Sequence, residues 1–85
     1  MENFTQKPGE TARKYAQRYL LYQIINLNFE PGQKISDVEI SKELNISRTP
    51  VREAILSLTN GQLIESHPQR GIFVSLINSE IVEQV

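Results

Sequence analysis

The chain has 85 residues, 39% of them hydrophobic and 22% charged, with 9 Lys+Arg against 10 Asp+Glu and a formal net charge of −1. That balance describes one small globular domain and excludes a disordered chain. With no cysteine and one histidine, disulfide scaffolds, thiol nucleophiles and multi-histidine metal sites are excluded, no apolar run approaches the roughly 20 residues of a membrane span, and the slight acidity weighs against nucleic acid.

Residues 1–10 show no periodic apolar pattern and read as a flexible leader. They also lack the basic-then-apolar layout of a signal peptide, which implies a cytoplasmic protein. From Thr11 the pattern turns helical. Ala12, Ala16, Leu20, Ile24 and Leu27 recur three or four apart and predict a helix over 11–28, with Tyr15, Tyr19 and Tyr22 as a second packing stripe. Pro31-Gly32 marks a sharp turn that leaves Phe29 free to pack down. Gln33-Lys34-Ile35 leaves room for one edge-strand residue. Ser36 with Glu39 is a capping box that opens a second helix over about 37–44. Asn45 stands where that helix needs a left-handed residue to stop.

Ser47 is the expected N-cap of a third helix, and Pro50 falls in its first turn, where no intrahelical N–H is lost. Val51, Ala54, Ile55 and Leu58 then form one buried face. Gly61 is read as the stop. Next the period changes. Leu63-Ile64 and Ile72-Phe73-Val74 are short β-rich runs around the polar segment Ser66 to Gly71, a hairpin with an extended loop. Asn78 to Val85, with Ile81, Val82 and Val85, reads as the start of a further helix. Two helices joined by two or three residues and followed by a hairpin make a winged helix-turn-helix over 11–76: mainly α, three helices plus a wing.

On a wheel of about 100° per residue, Arg48, Thr49, Arg52 and Glu53 lie opposite the buried face of the third helix. Two features there are locally unfavourable. Arg48 places positive charge at a helix N-terminus, and Arg48 with Arg52 is a like-charged pair one turn apart. Such violations mark functional surfaces, and a docked polyanion would turn both into attractions. The early turns of a recognition helix are also the part that meets base edges and phosphates. Arginine forks to guanine or phosphate, and the Ser47 and Thr49 hydroxyls can reach either. The bland reading of the same residues is a solvated face. The acids lie mostly elsewhere: Asp37, Glu39 and Glu43 on the second helix, Glu80 and Glu83 in the tail.

The string Ile46-Ser47-Arg48-Thr49-Pro50-Val51-Arg52-Glu53-Ala54 resembles the recognition-helix signature of the GntR family of bacterial transcription regulators. The likeness runs upstream through Glu30-Pro31-Gly32-Gln33-Lys34-Ile35-Ser36 and downstream through Asn60-Gly61-Gln62-Leu63-Ile64 to the wing ending Arg70-Gly71-Ile72-Phe73-Val74. It covers about residues 12–76. The resemblance implies a dimer on palindromic double-stranded DNA, with Ser47, Arg48, Thr49 and Arg52 at the major groove. It implies that the wing tip, His67, Gln69, Arg70 and Gly71, reaches the adjacent minor groove, where small Gly71 would allow close backbone approach and Arg70 suits a narrow negative groove. It implies a small-molecule effector bound by a C-terminal domain absent from this chain, which is then a DNA-binding fragment or a truncated product. No cofactor is expected in this chain. Val38 stands where some members carry a basic residue, so no phosphate contact is assigned there. Pro68 stands where some carry glycine, which stiffens the wing.

Two other function classes are weighed. A winged helix that serves protein–protein contact would expose an apolar patch, and Leu56 alone is apolar near this face. An enzyme needs a nucleophile or metal, a base and a pocket, which one histidine, no cysteine and scattered carboxylates do not supply.

Overall fold

The computed structural model describes residues 5–76. The expected start of a helix at 78–85 lies outside them. The element order is α1 (Ala12–Ile25), β1 (Lys34–Ile35), α2 (Asp37–Leu44), α3 (Arg48–Asn60), β2 (Ile64–His67) and β3 (Gly71–Val74).

Helix α1 starts at Thr11, whose Oγ1 accepts the Lys14 N–H at 3.1 Å. It ends earlier than the 28 expected. The apolar spacing continues through Leu27, but Leu27 takes a left-handed φ of 62° and stays 58% exposed. Its N–H bonds the Ile24 carbonyl and that of Phe29 bonds Gln23, which closes the helix and folds Phe29 back against Tyr19, ring edge to ring face. Tyr15 and Tyr19 are core residues beside Ala16, Leu20 and Ile24.

In α2 the serine half of the capping box is formed: Ser36 Oγ accepts from the Glu39 N–H. Asn45 stops the helix at φ 58°, ψ 45°, the left-handed conformation expected of it. Ser47 occupies the N-cap position of α3, yet its side chain makes no capping hydrogen bond. Val51, Ala54, Ile55 and Leu58 bury their face of α3 against α1 and α2. Gly61 caps the other end, but its φ is −85°. The left-handed residue is Gln62, at 68°. The helix therefore ends through Gln62, and glycine at 61 is not sterically required: an added Cβ there would meet only carbonyls at 3.7 Å.

The hairpin gains a third strand. Lys34 and Ile35 pair antiparallel with Phe73 and Ile72, giving the order β1-β3-β2. The extended loop proves short. Ser66 and His67 belong to β2, with His67 opposite Gly71. The turn is Pro68-Gln69-Arg70, closed by the Arg70 N–H to the His67 carbonyl, with Gln69 at φ 67°. Proline followed by a positive φ is the type II pattern, so Pro68 tightens this turn. The inner face of the sheet sets Ile35, Ile64 and Val74 into the core.

The residues expected as a flexible leader make defined contacts within 5–10. Arg18 donates from Nε and Nη2 to the two carboxylate oxygens of Glu10 at 2.8 and 2.9 Å, and from Nη2 to the Thr5 carbonyl. This fork ties the segment to α1.

Candidate nucleic-acid interface

The sequence places Arg48 and Arg52 one turn apart with nothing to offset their repulsion. The structure supplies the missing charge from α2. Arg52 Nε donates to Asp37 Oδ2 at 2.8 Å, and Arg48 Nε lies 3.6 Å from the same oxygen. Asp37 is the first residue of α2, where an acid also suits the helix dipole. The Arg52 hydrogen bond holds its carboxyl below the ordinary value, helped by the Arg48 charge and opposed by partial burial. Both arginines engage the acid through Nε and stay at least half exposed. Their terminal nitrogens remain the groups able to fork to a base or phosphate.

Ser47 and Thr49 are exposed beside them. Because Ser47 makes no capping bond, its hydroxyl is not committed to the helix end. Ser47, Arg48, Thr49 and Arg52 thus form one group around the start of α3. Arg52 also lines a groove of about 180 Å³ between α3 and the sheet, whose other walls include Leu56, Ser66 and Ile72.

The wing residues form a second group, joined to the first by no hydrogen bond or ion pair among the described residues. Gln69 and Arg70 are exposed in the turn. His67 is not in the loop as expected but ends β2. Its Nε2 lies 3.1 Å from Glu65 Oε1, and its ring meets Phe73 edge-on at 5.6 Å. Gly71 has a φ of 126°, which favours glycine on backbone grounds alone. The space above it is not open. A Cβ there would stand 2.7 Å from Cε of Lys34. Close approach at Gly71 is already taken by this lysine.

Sequence reasoning missed Asp37 and Lys34. Asp37 lies between the two residues of the capping box, and an acid in the first turn of the helix before an arginine pair is the available signal. Lys34 had none, since its neighbours are set by strand register. Among the described residues no group of three or more His, Cys, Asp or Glu could hold a metal, and no helix is long and apolar enough to cross a membrane.

Comparison with known proteins decides the family. The model of the bacterial regulatory proteins of the gntR family matches residues 13–74. This chain belongs to the gntR family. The HTH-type transcriptional repressor RspR of Escherichia coli K12 is 37% identical over 71 residues, which are 84% of this chain and 31% of that protein. The family's solved structures include a transcriptional regulator from Pseudomonas syringae, at 28% identity and a TM-score of 0.73 over 94% of this chain and 36% of that one. The chain is also similar to AraR(DBD) in complex with operator ORX1, at 26% identity and a TM-score of 0.70 over 76% of this chain and 80% of that one. The chain spans about a third of the length of the curated relatives it matches.

Proposed function

We infer that this chain is the DNA-reading domain of a transcription regulator and binds a specific duplex sequence. The observation that carries the reading is the pair Arg48 and Arg52, exposed in the first turns of the second helix of a helix-turn-helix and held from behind by Asp37. The capture of AraR(DBD) with its operator supports the same role here. Arg48 and Arg52 supply forks for bases or phosphates, and Ser47 and Thr49 supply hydroxyls. Arg70 and Gln69, with His67 and Gly71 at the base of the turn, present the wing to the adjacent minor groove. The protein works in the cytoplasm as a dimer on a palindromic operator. A C-terminal domain outside this chain binds a small-molecule effector, which accords with the greater length of the relatives.

The protein–protein alternative finds little support, because Leu56 is the lone large apolar residue exposed on α3 among the described residues. Selection of bound duplexes from a random pool, followed by titration of the winner, tests the reading. Arg48→Ala and Arg52→Ala should each weaken that binding by about 1–3 kcal/mol. Parent-like affinity in both variants would show that this face of α3 does not read DNA.

A further inference from the structure

The sheet register places Lys34 on an unexpected surface. Lys34 stands opposite Phe73, and Phe73 stands opposite Glu65 on the far side. Gly71 lies two residues from Phe73 and opposite His67, so Lys34, Phe73, Glu65, Gly71 and His67 share the sheet face turned away from the core. Along that face the Lys34 side chain runs toward the wing turn. An ideal Cβ on Gly71 would lie 3.7 Å from its Cδ, 2.7 Å from its Cε and 3.5 Å from its Nζ. The methylene stem therefore crosses the glycine, and the ammonium comes out beside the turn that carries Arg70.

The electrostatic setting leaves that ammonium available. Lys34 is exposed and has no ion pair among the described residues. Glu65, the acid on the same face, is engaged by His67 at 3.1 Å. A lysine over a glycine also lies on a short stem path that a side chain at 71 would obstruct. The wing tip thus presents two cations from different segments, Arg70 from the turn and Lys34 from β1.

We propose that Lys34 is a phosphate-binding residue of the wing, and that Gly71 serves the interface by admitting the Lys34 stem rather than the DNA backbone. This rests on the DNA-binding reading above. A lysine ammonium is a compact point charge that suits phosphate without reading sequence. Its contribution therefore appears on any duplex and in the salt dependence.

The test uses the 85-residue chain and a mixed-sequence duplex, titrated by fluorescence anisotropy across a salt series. Lys34→Gln should lower affinity about threefold to tenfold at about 50 mM salt and reduce the slope of log K against log salt by about 0.9, the value of one phosphate contact. Lys34→Arg should keep the parent slope. Gly71→Ala, strained by the φ of 126° in either background, should cost more affinity in the parent than in the Lys34→Gln background, with urea midpoints confirming that each variant is folded. A Lys34→Gln variant with the parent's affinity and slope would overturn the lysine's role. Equal losses from Gly71→Ala in both backgrounds would overturn the glycine's. A parent with no salt-sensitive duplex binding would instead sink the DNA reading itself, and this proposal with it.

Discussion

Asp37→Asn separates positioning from charge at the reading helix. The variant keeps the shape of the side chain and removes the negative charge that lies 2.8 Å from Arg52 and 3.6 Å from Arg48. Two effects of opposite sign follow. A phosphate about 8 Å from the carboxylate is repelled by about 0.5 kcal/mol in a solvent-like dielectric at low salt, where screening is weak, and that repulsion disappears on every duplex. Against this, two arginines lose the anchor that fixes them, and immobilising each costs about 0.5–1.5 kcal/mol on docking. Only a matched site demands that both be fixed. Mixed-sequence affinity should therefore rise about twofold while operator affinity falls about tenfold, so the specificity ratio contracts about twentyfold. Anisotropy titrations on the selected operator and on a mixed-sequence duplex of equal length, at one ionic strength, measure both numbers. If both affinities rise by the same factor, Asp37 only screens the arginines and positions nothing. Fold stability should change by less than about 1 kcal/mol, since exposed pairs contribute little.

Three further outcomes follow from the fold. Leu20 is fully buried in α1, and Leu20→Ala should cost about 3–4 kcal/mol, read as a lowered urea midpoint. Gln62 carries the left-handed turn after α3, so Gln62→Gly should stabilise by about 1 kcal/mol, whereas Gly61→Ala, at an ordinary φ, should be neutral or stabilising by up to about 1 kcal/mol. Destabilisation by both would refute this account of the helix end. The Arg18 fork holds the Glu10 carboxyl at about 2 against an ordinary 4.5. A depressed folded value means the clamp stabilises fully above the ordinary value and weakens as pH falls from 4.5 toward 2. Amide-exchange protection of residues 5–10, relative to the intrinsic rate at each pH, should fall over that range in the parent and be already low in Arg18→Ala at neutral pH.

What the sequence made legible was what neighbours in the chain decide. Helix α2 could be placed at both ends because Ser36, Glu39 and Asn45 act within one turn of where they stand. The arginines of α3 stood out because they break local rules on one helix face. The end of α1 was misjudged for the converse reason: Leu27 keeps the apolar spacing, but the bonds from Leu27 and Phe29 back to Ile24 and Gln23 close the helix before it. Whatever depends on packing between elements stayed hidden. Asp37 meets Arg52 across 15 positions of sequence, through the crossing of α2 on α3. Lys34 meets Gly71 only through the register of a two-residue strand. His67 reads as a loop residue because no local signal marks where the hairpin turn begins, and the pairing with Gly71 places it in the ladder.

That hidden layer also resolves the acidity that first weighed against DNA. A net charge of −1 would repel a polyanion if it were spread evenly, but two acids are held by cations: Glu10 by Arg18, and Asp37 by Arg52 and Arg48. An acid held by a cation contributes little field at the distance of a docked duplex. The cations differ in where they leave their donors. Arg18 spends its fork on Glu10 and Thr5, while Arg48 and Arg52 meet Asp37 through Nε and stay at least half exposed. Such a surface offers few free phosphate contacts, so the expected affinity for arbitrary duplex is modest and the expected salt dependence shallow. Discrimination must then come from fixed geometry, which is what one carboxylate behind two arginines provides. A second copy on a palindromic operator would add the affinity that the charge count withholds.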